Sequence, residues 1–278
     1  MKVLVTGGAG QLARAIAATW SGHEVLLSDR KSLDLTDPGA AASALALHRP
    51  RVVINAGAYT LVDRCEAEPD LARKVNADAV GWLADACNEI DALLVQISTD
   101  YVFDGRATRP YREDDPTHPA TIYGRTKLEG EARAREAGNH LIVRTSWLYD
   151  AWGKNFLRTM LSAAAQRRSL KVVDDQRGTP TSCRALARQL ERSVCEEWRG
   201  LVHASCEGET TWYGFAKEIF LVAGIQADLS PCTTEEFPTP APRPAYSVLD
   251  AALRRSLGSD LMPSWQSALK EVISAGIE

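Results

Sequence analysis

With 278 residues, 45% of them apolar and 24% charged, the chain has an ordinary globular composition and enough length for one large or two modest domains around a sizeable core. A net charge of −4 with no long basic block argues against a nucleic-acid partner. No run approaches the roughly 20 apolar residues that span a bilayer, and the opening residues read as a strand without signal-like regions, so no membrane partner and a cytoplasmic location are expected.

The chain opens on an apolar strand over residues 2–6, turns through Gly7, Gly8 and Gly10, and enters a helix over residues 11–20. Glycines there let the backbone approach a diphosphate, whose charge the free amides and the positive end of the helix dipole favour. The spacing is Gly7-x-x-Gly10-x-x-Ala13, and alanine remains small enough for close helix-to-strand packing. A second strand, residues 23–28, ends at Asp29, 22 residues after Gly7, where a carboxylate can hold the ribose hydroxyls of a dinucleotide. Arg30 and Lys31 follow at once. A guanidinium there favours a phosphorylated ribose, so NADPH and NADH both remain open, as does a plain solvated turn.

Strands are expected next at residues 51–55, 92–98 and 141–145, with helices containing residues 68–87 and 123–136 between them. That alternation predicts an α/β fold: a Rossmann-like, doubly wound parallel sheet with the chemistry at one edge, and a smaller C-terminal substrate-binding region. Beyond Ser146 the pattern loosens into short strands at 170–173 and 201–204, a helix at 184–197 and a proline-rich loop at 231–244. The division expected is 1–146 for the dinucleotide and 147–278 mainly for the substrate, with segments around 170–204 returning to the first unit.

Two Tyr-x-x-x-Lys pairs occur, Tyr123 with Lys127 and Tyr213 with Lys217, and on a helix either pair shares one face. Context separates them. The buried-looking strand before Tyr123 ends in Ser98-Thr99-Asp100-Tyr101, which sets hydroxyls at the functional edge, whereas Trp212 to Phe220 reads as an amphipathic helix with packing aromatics. Hydride delivered to a ketone needs an acid at the oxygen. A phenol whose pKa is lowered by the Lys127 ammonium fits, with Thr99 holding the carbonyl and Lys127 also reaching the nicotinamide ribose.

The six cysteines, Cys65, Cys87, Cys183, Cys195, Cys206 and Cys232, form no Cys-x-x-Cys pair and have no histidine at ligand spacing, which predicts reduced thiols and no structural metal. The run Glu113-Asp114-Asp115 reads as a solvated turn, with attraction of a divalent cation as the alternative. Arg133 with Arg135, and Arg167 with Arg168, read as solvated helix faces.

The glycine turn, the strand-end hydroxyl and the Tyr123/Lys127 helix resemble the extended short-chain dehydrogenase/reductase superfamily and, more closely, its family of dTDP-4-dehydrorhamnose reductases. The resemblance runs in order through Gly10-Gln11-Leu12, Asp34-Leu35-Thr36-Asp37, Asn55-Ala56-Gly57-Ala58-Tyr59-Thr60, Ser98 to Gly105, Tyr111 to Asp115, Arg144 to Tyr149, Gly153 to Phe156 and Arg243 to Ser247. It departs at Gly57, where alanine is frequent, and at Ala13. The resemblance implies that Gly10, Gln11 and Leu12 cradle a diphosphate, that Asp29, Asp34 and Leu35 surround the adenosine, and that Ala58, Tyr59 and Thr60 line the cofactor. It implies that Thr99, Asp100, Tyr123 and Trp147 meet a nucleotide sugar. Asp34 also reads as a turn or cap residue, Asp100 as a loop anchor, Trp147 as a core residue and Arg243 as either a diphosphate contact or a surface turn. The implied reaction is reduction of the 4-keto group of dTDP-4-dehydro-6-deoxy-L-mannose to dTDP-L-rhamnose, in an enzyme that in this family is often a homodimer. Two other readings stay open: a reductase of another 4-keto-6-deoxy nucleotide sugar, and a silent cofactor-binding regulatory subunit like the beta subunit of methionine adenosyltransferase.

Overall fold

Strands such as Val52–Asn55 and Leu93–Thr99, buried along their whole length, need a covering layer on each face. The computed structural model, which describes residues 1–166 and 169–276, supplies both layers. The paired Arg167 and Arg168 lie outside the described residues.

In chain order the first part contains β1 (Lys2–Thr6), α1 (Gln11–Thr19), β2 (Glu24–Ser28), α2 (Pro38–His48), β3 (Val52–Asn55), α3 (Val62–Ala67), α4 (Pro69–Arg73), α5 (Ala79–Ile90), β4 (Leu93–Thr99), α6 (Ile122–Ala134) and β5 (His140–Thr145). There follow β6 (Leu148–Tyr149), α7 (Phe156–Ala165), β7 (Leu170–Val173), β8 (Arg177–Gly178), β9 (Thr181–Ser182), α8 (Cys183–Cys195) and β10 (Gly200–His203). The chain finishes with β11 (Thr210–Thr211), α9 (Trp212–Ala223), β12 (Leu229–Cys232), α10 (Ala252–Ser256) and α11 (Trp265–Ser274). Among the described residues no helix is long and apolar enough to cross a membrane.

Six strands form one parallel sheet in the order β2-β1-β3-β4-β5-β10. Successive side chains point to opposite faces. Val3, Val5, Ile54, Val95 and Val143 therefore meet α1 and α8, while Leu4, Val53, Leu94 and Ile142 meet the helices on the other side. After β2 the chain crosses back to lay β3 on the far side of β1, so the strand order reverses between β1 and β3, the place where open α/β sheets take ligands.

Of the stretch 170–204, α8 packs on α1 and β10 pairs with β5, whereas β7 pairs with β12 away from the main sheet. β7 and β12 belong with α7, α9 and α11 to a second core around Phe215, Ile219, Trp265 and Leu269.

The helix expected through residues 68–87 is present as a continuous helical run from Pro69 to Ile90 with one irregularity. α4 runs into a π turn, Lys74–Asp78, before α5 begins. The cause is tertiary. Asn76, 1% exposed, accepts from the Tyr59 N–H (2.8 Å) and donates from Nδ2 to the Tyr59 carbonyl (3.2 Å) and to Thr126 Oγ1 (3.1 Å), tying the 56–60 turn to α6. Helix α6 comes so close that a Cβ on Gly130 would collide with the Asn76 carbonyl. Gly130→Ala is expected to cost about 1–3 kcal/mol in urea unfolding, the usual effect of overpacking. Gly22→Ala, which meets nothing within 4 Å, should stay within about 0.5 kcal/mol. Equal effects would show that this contact does not place α6.

Candidate active site

Most helices here start under a side-chain cap: Asp37 on α2, Thr121 on α6, Asn155 on α7, Ser182 on α8. α1 starts at Gly10 with no side chain accepting from its first turn, which leaves amides facing the switch point. Gly7, at φ +67°, packs so tightly on the 56–57 turn that a Cβ on it would stand 2.7 Å from Gly57 Cα. A Cβ on Gly57 would stand 2.6 Å from Leu35 Cδ1.

Above this floor lies a cavity of about 590 Å³, in the size range of small-molecule sites. Gly7, Gly10, Gln11, Leu12, Asp29, Arg30, Ala58, Thr60, Thr99, Tyr123, Lys127 and Trp147 all line it. Asp34, Leu35, Tyr59 and Asp100 sit behind the wall. Asp34 closes its own turn by accepting from the Thr36 N–H and hydroxyl (both 2.8 Å), and the Tyr59 hydroxyl donates to Glu68. The Gln11 side chain is engaged by the 153–155 loop, with Asn155 Nδ2 donating to its Oε1 at 2.7 Å, so a diphosphate would meet the backbone amides of α1.

Asp29 Oδ1 accepts from the N–H groups of Lys31 (2.9 Å) and Ser32 (3.1 Å); the Ser32 bond is the main influence holding the carboxyl below its usual range. Arg30, 82% exposed, is tethered to Asp34 by one 3.3 Å ion pair, a bond weak enough in water for the guanidinium to turn away. An open helix N-terminus, glycine turns in contact and an ionised carboxylate at the end of β2 fit a dinucleotide.

Across the cavity, Tyr123 and Lys127 lie one turn apart on α6, with Thr99 at the end of β4. Thr99 donates to Asp100 Oδ1 (2.9 Å), and its hydroxyl lies near enough to the Tyr123 phenol to favour the ionised form. Burial raises the Asp100 carboxyl to about 6 despite bonds from Ser247 and Thr99. The expected lowering of the Tyr123 pKa is corrected by the structure. Burial pushes the phenol well above its usual value, the nearby Asp100 carboxyl adds to this, and only the Thr99 hydroxyl pulls the other way. Burial also draws Lys127 down to about 8, against the attraction of Glu131.

Lys127 is held by a chain of polar groups that no local pattern announces. Gly57 N–H donates to Thr6 Oγ1 (3.1 Å), Thr6 to Asn55 Oδ1 (2.5 Å), Asn55 Nδ2 to Gln96 Oε1 (2.7 Å) and Gln96 Nε2 to the Ile97 carbonyl (2.8 Å). Lys127 Nζ donates to that same carbonyl at 2.6 Å. Thr6, Asn55, Gln96 and Lys127 are at most 3% exposed.

A second buried set braces α6 from beneath. Glu131 accepts from Ser98 (2.6 Å) and twice from Arg144 (2.8 Å each). The carboxylates of the 113–115 run are spent within the chain: Glu113 accepts from the His203 N–H, and Asp115 from Arg109 and the Arg112 N–H. Arg243 is paired with Asp63 at 2.8 Å. Tyr213 and Lys217 lie on α9 beside a different hollow, next to Trp265. Gln96→Leu strands the Asn55 amide and is expected to cost about 1–3 kcal/mol by urea unfolding. A loss below about 0.5 kcal/mol, the range of an indifferent surface change, would show that the chain does not act as a unit.

Residues 1–277 match the family model described as the RmlD substrate binding domain. The chain is 42% identical to a dTDP-4-dehydrorhamnose reductase of Streptomyces griseus, over 98% of this chain and 93% of that protein. Among solved structures it superimposes at a TM-score of 0.96 on a dTDP-4-dehydrorhamnose reductase of Clostridium acetobutylicum, 45% identical, with 99% of each chain covered. The Bacillus anthracis dTDP-4-dehydrorhamnose reductase, solved in complex with NADP, also gives 0.96, at 36% identity and 99% of each chain. With its glycine turn, strand-end threonine and Tyr123/Lys127 helix gathered on one cavity, the chain belongs to this family of Rossmann-type nucleotide-sugar reductases.

Proposed function

We propose that this protein reduces the 4-keto group of dTDP-4-dehydro-6-deoxy-L-mannose to dTDP-L-rhamnose, using NADPH or NADH. The observation that carries the reading is the meeting of Thr99, Tyr123 and Lys127 in one cavity with the α1 amides and Trp147. In this reading Gly7, Gly10, Gln11 and Leu12 hold the cofactor diphosphate, and Asp29, Arg30, Asp34 and Leu35 shape the adenosine end. Ala58, Tyr59 and Thr60 form the wall between. Asp29 suits a free ribose hydroxyl, and Arg30 can turn to a 2′-phosphate, which supports use of both cofactors. Residues 1–146 form the cofactor unit and 147–278 mainly the sugar-nucleotide unit; a cytoplasmic homodimer is the form this reading expects.

A reduced nicotinamide, when bound, supplies the hydride. The chain supplies everything at the oxygen. Thr99 turns its hydroxyl from Asp100 to the substrate carbonyl and holds it beside Tyr123. Burial keeps the Tyr123 phenol protonated at rest, so the proton is present when negative charge grows on the sugar O4. Lys127, still largely an ammonium at neutral pH, stabilises the phenolate left behind until solvent reprotonates it. Asp100 meets the sugar from behind Thr99, and Trp147 presents the free edge of its indole to the ring.

Loss of nicotinamide absorbance with dTDP-4-dehydro-6-deoxy-L-mannose made in place, and dTDP-L-rhamnose as product, is the expected result. Oxidation only with another 4-keto-6-deoxy nucleotide sugar would move the assignment to that sugar. No oxidation, with cofactor bound and an enzyme partner recovered stoichiometrically, would replace it with a regulatory role. Tyr123→Phe is expected to cut kcat by about 10²–10⁴-fold while the cofactor Kd stays unchanged. Near-full activity of that variant would remove Tyr123 as proton donor.

A further inference from the structure

The indole that Trp147 shows to the cavity is held mainly by residues outside the cavity lining. Trp147 has φ +48°, a conformation that bulky L residues rarely adopt and that only a tightly determined setting maintains. Its carbonyl accepts from the Thr181 N–H (3.2 Å), and the preceding Ser146 hydroxyl donates to the Thr179 carbonyl (2.8 Å). The Trp147 ring lies flat on Trp212, with centroids 3.6 Å apart and planes within 6°. Gly178 lies over the opposite face: a Cβ there would stand 2.5 Å from Trp147 Cε2, 2.6 Å from Cζ2 and 2.7 Å from Nε1. Trp212 in turn leans on Phe156 (4.7 Å), which stacks on the fully buried Phe215 (5.5 Å) of the second core.

Trp212 and Gly178 therefore sandwich the Trp147 indole, and its free edge remains for a ligand. We propose that Trp212 is a positioning residue for sugar recognition: acting through Trp147, it holds the indole in the orientation that the deoxysugar ring meets. This rests on the nucleotide-sugar reading above and deepens it. An indole fixed before binding loses no rotamer freedom when the sugar arrives, so the stack should strengthen the sugar contact while leaving nucleotide and cofactor contacts alone. It also makes the aromatic second core part of substrate selection.

The test compares dTDP-L-rhamnose with dTDP by calorimetric titration, in wild-type protein, Trp212→Ala, Trp212→Phe and Gly178→Ala. Trp212→Ala is expected to weaken dTDP-L-rhamnose about tenfold, with dTDP and NADPH affinities unchanged. Trp212→Phe, which keeps an aromatic face, should stay within about threefold of wild type. Gly178→Ala, which presses on the indole from the face opposite Trp212, should reproduce the sugar-specific loss. Unchanged dTDP-L-rhamnose affinity in a folded Trp212→Ala protein, or an equal loss on dTDP, would overturn the inference and leave Trp212 a packing residue. Wild-type protein that binds dTDP-L-rhamnose no more tightly than dTDP would overturn the substrate reading itself, and this inference with it.

Discussion

The carbonyl of Ile97 is the point on which the site turns. β3 ends at Asn55, opposite Gln96, so one residue further along β4 there is no strand on that side to donate to it. A buried carbonyl without a donor is costly, and here two side chains meet the need, Gln96 and Lys127. Lys127 is thus taken from water and aimed by the sheet itself. The same shortened strand opens the space above the switch point that the cavity occupies. Because the chain of donors continues through Asn55 and Thr6 to the Gly57 amide, the lysine and the glycine floor are parts of one hydrogen-bonded structure.

Polarity inside this site is organised in layers. Nearest the cavity are Thr99, Tyr123 and Lys127. Beneath them, Asn76 joins the 56–60 turn to α6, and Glu131 with Arg144 and Ser98 joins α6 to β4 and β5. Asn76 and Glu131 each find partners on more than one other element, so moving one element disturbs several bonds. The second core is coupled to this frame at two places: Asn155 on Gln11 at the start of α1, and Trp212 on Trp147 across the cavity.

What the sequence makes legible follows from what acts locally. The β1 strand, the glycine turn and the β4–α6 approach to Tyr123 are carried by apolar runs, glycines and helical spacing, and each lies where those signals place it. The family resemblance added Trp147 and the 58–60 turn, which periodicity cannot supply. The bonding roles of Asn55, at the end of β3, and Gln96, within β4, were invisible, because Asn55 looks like a strand end, Gln96 like a lone interruption, and their shared network runs between strands far apart in the chain. The irregularity at Lys74–Asp78 escaped for the same reason: Asn76 is held by Tyr59 and Thr126, not by its own helix. The phenol of Tyr123 shows the limit of pairwise reasoning, since the helical spacing that pairs it with a lysine says nothing of the burial that raises it.

The most direct measurement is a titration of Lys127 followed by NMR in lysine-labelled protein, with Lys127→Met to assign its signal. A desolvated ammonium held on the Ile97 carbonyl predicts a pKa of about 8, so the Lys127 charge that the proposed reaction requires is present at neutral pH and is lost as pH rises through that value. Titration near the ordinary lysine value of about 10.4 would mean that Lys127 remains in water, and that the sheet does not aim it.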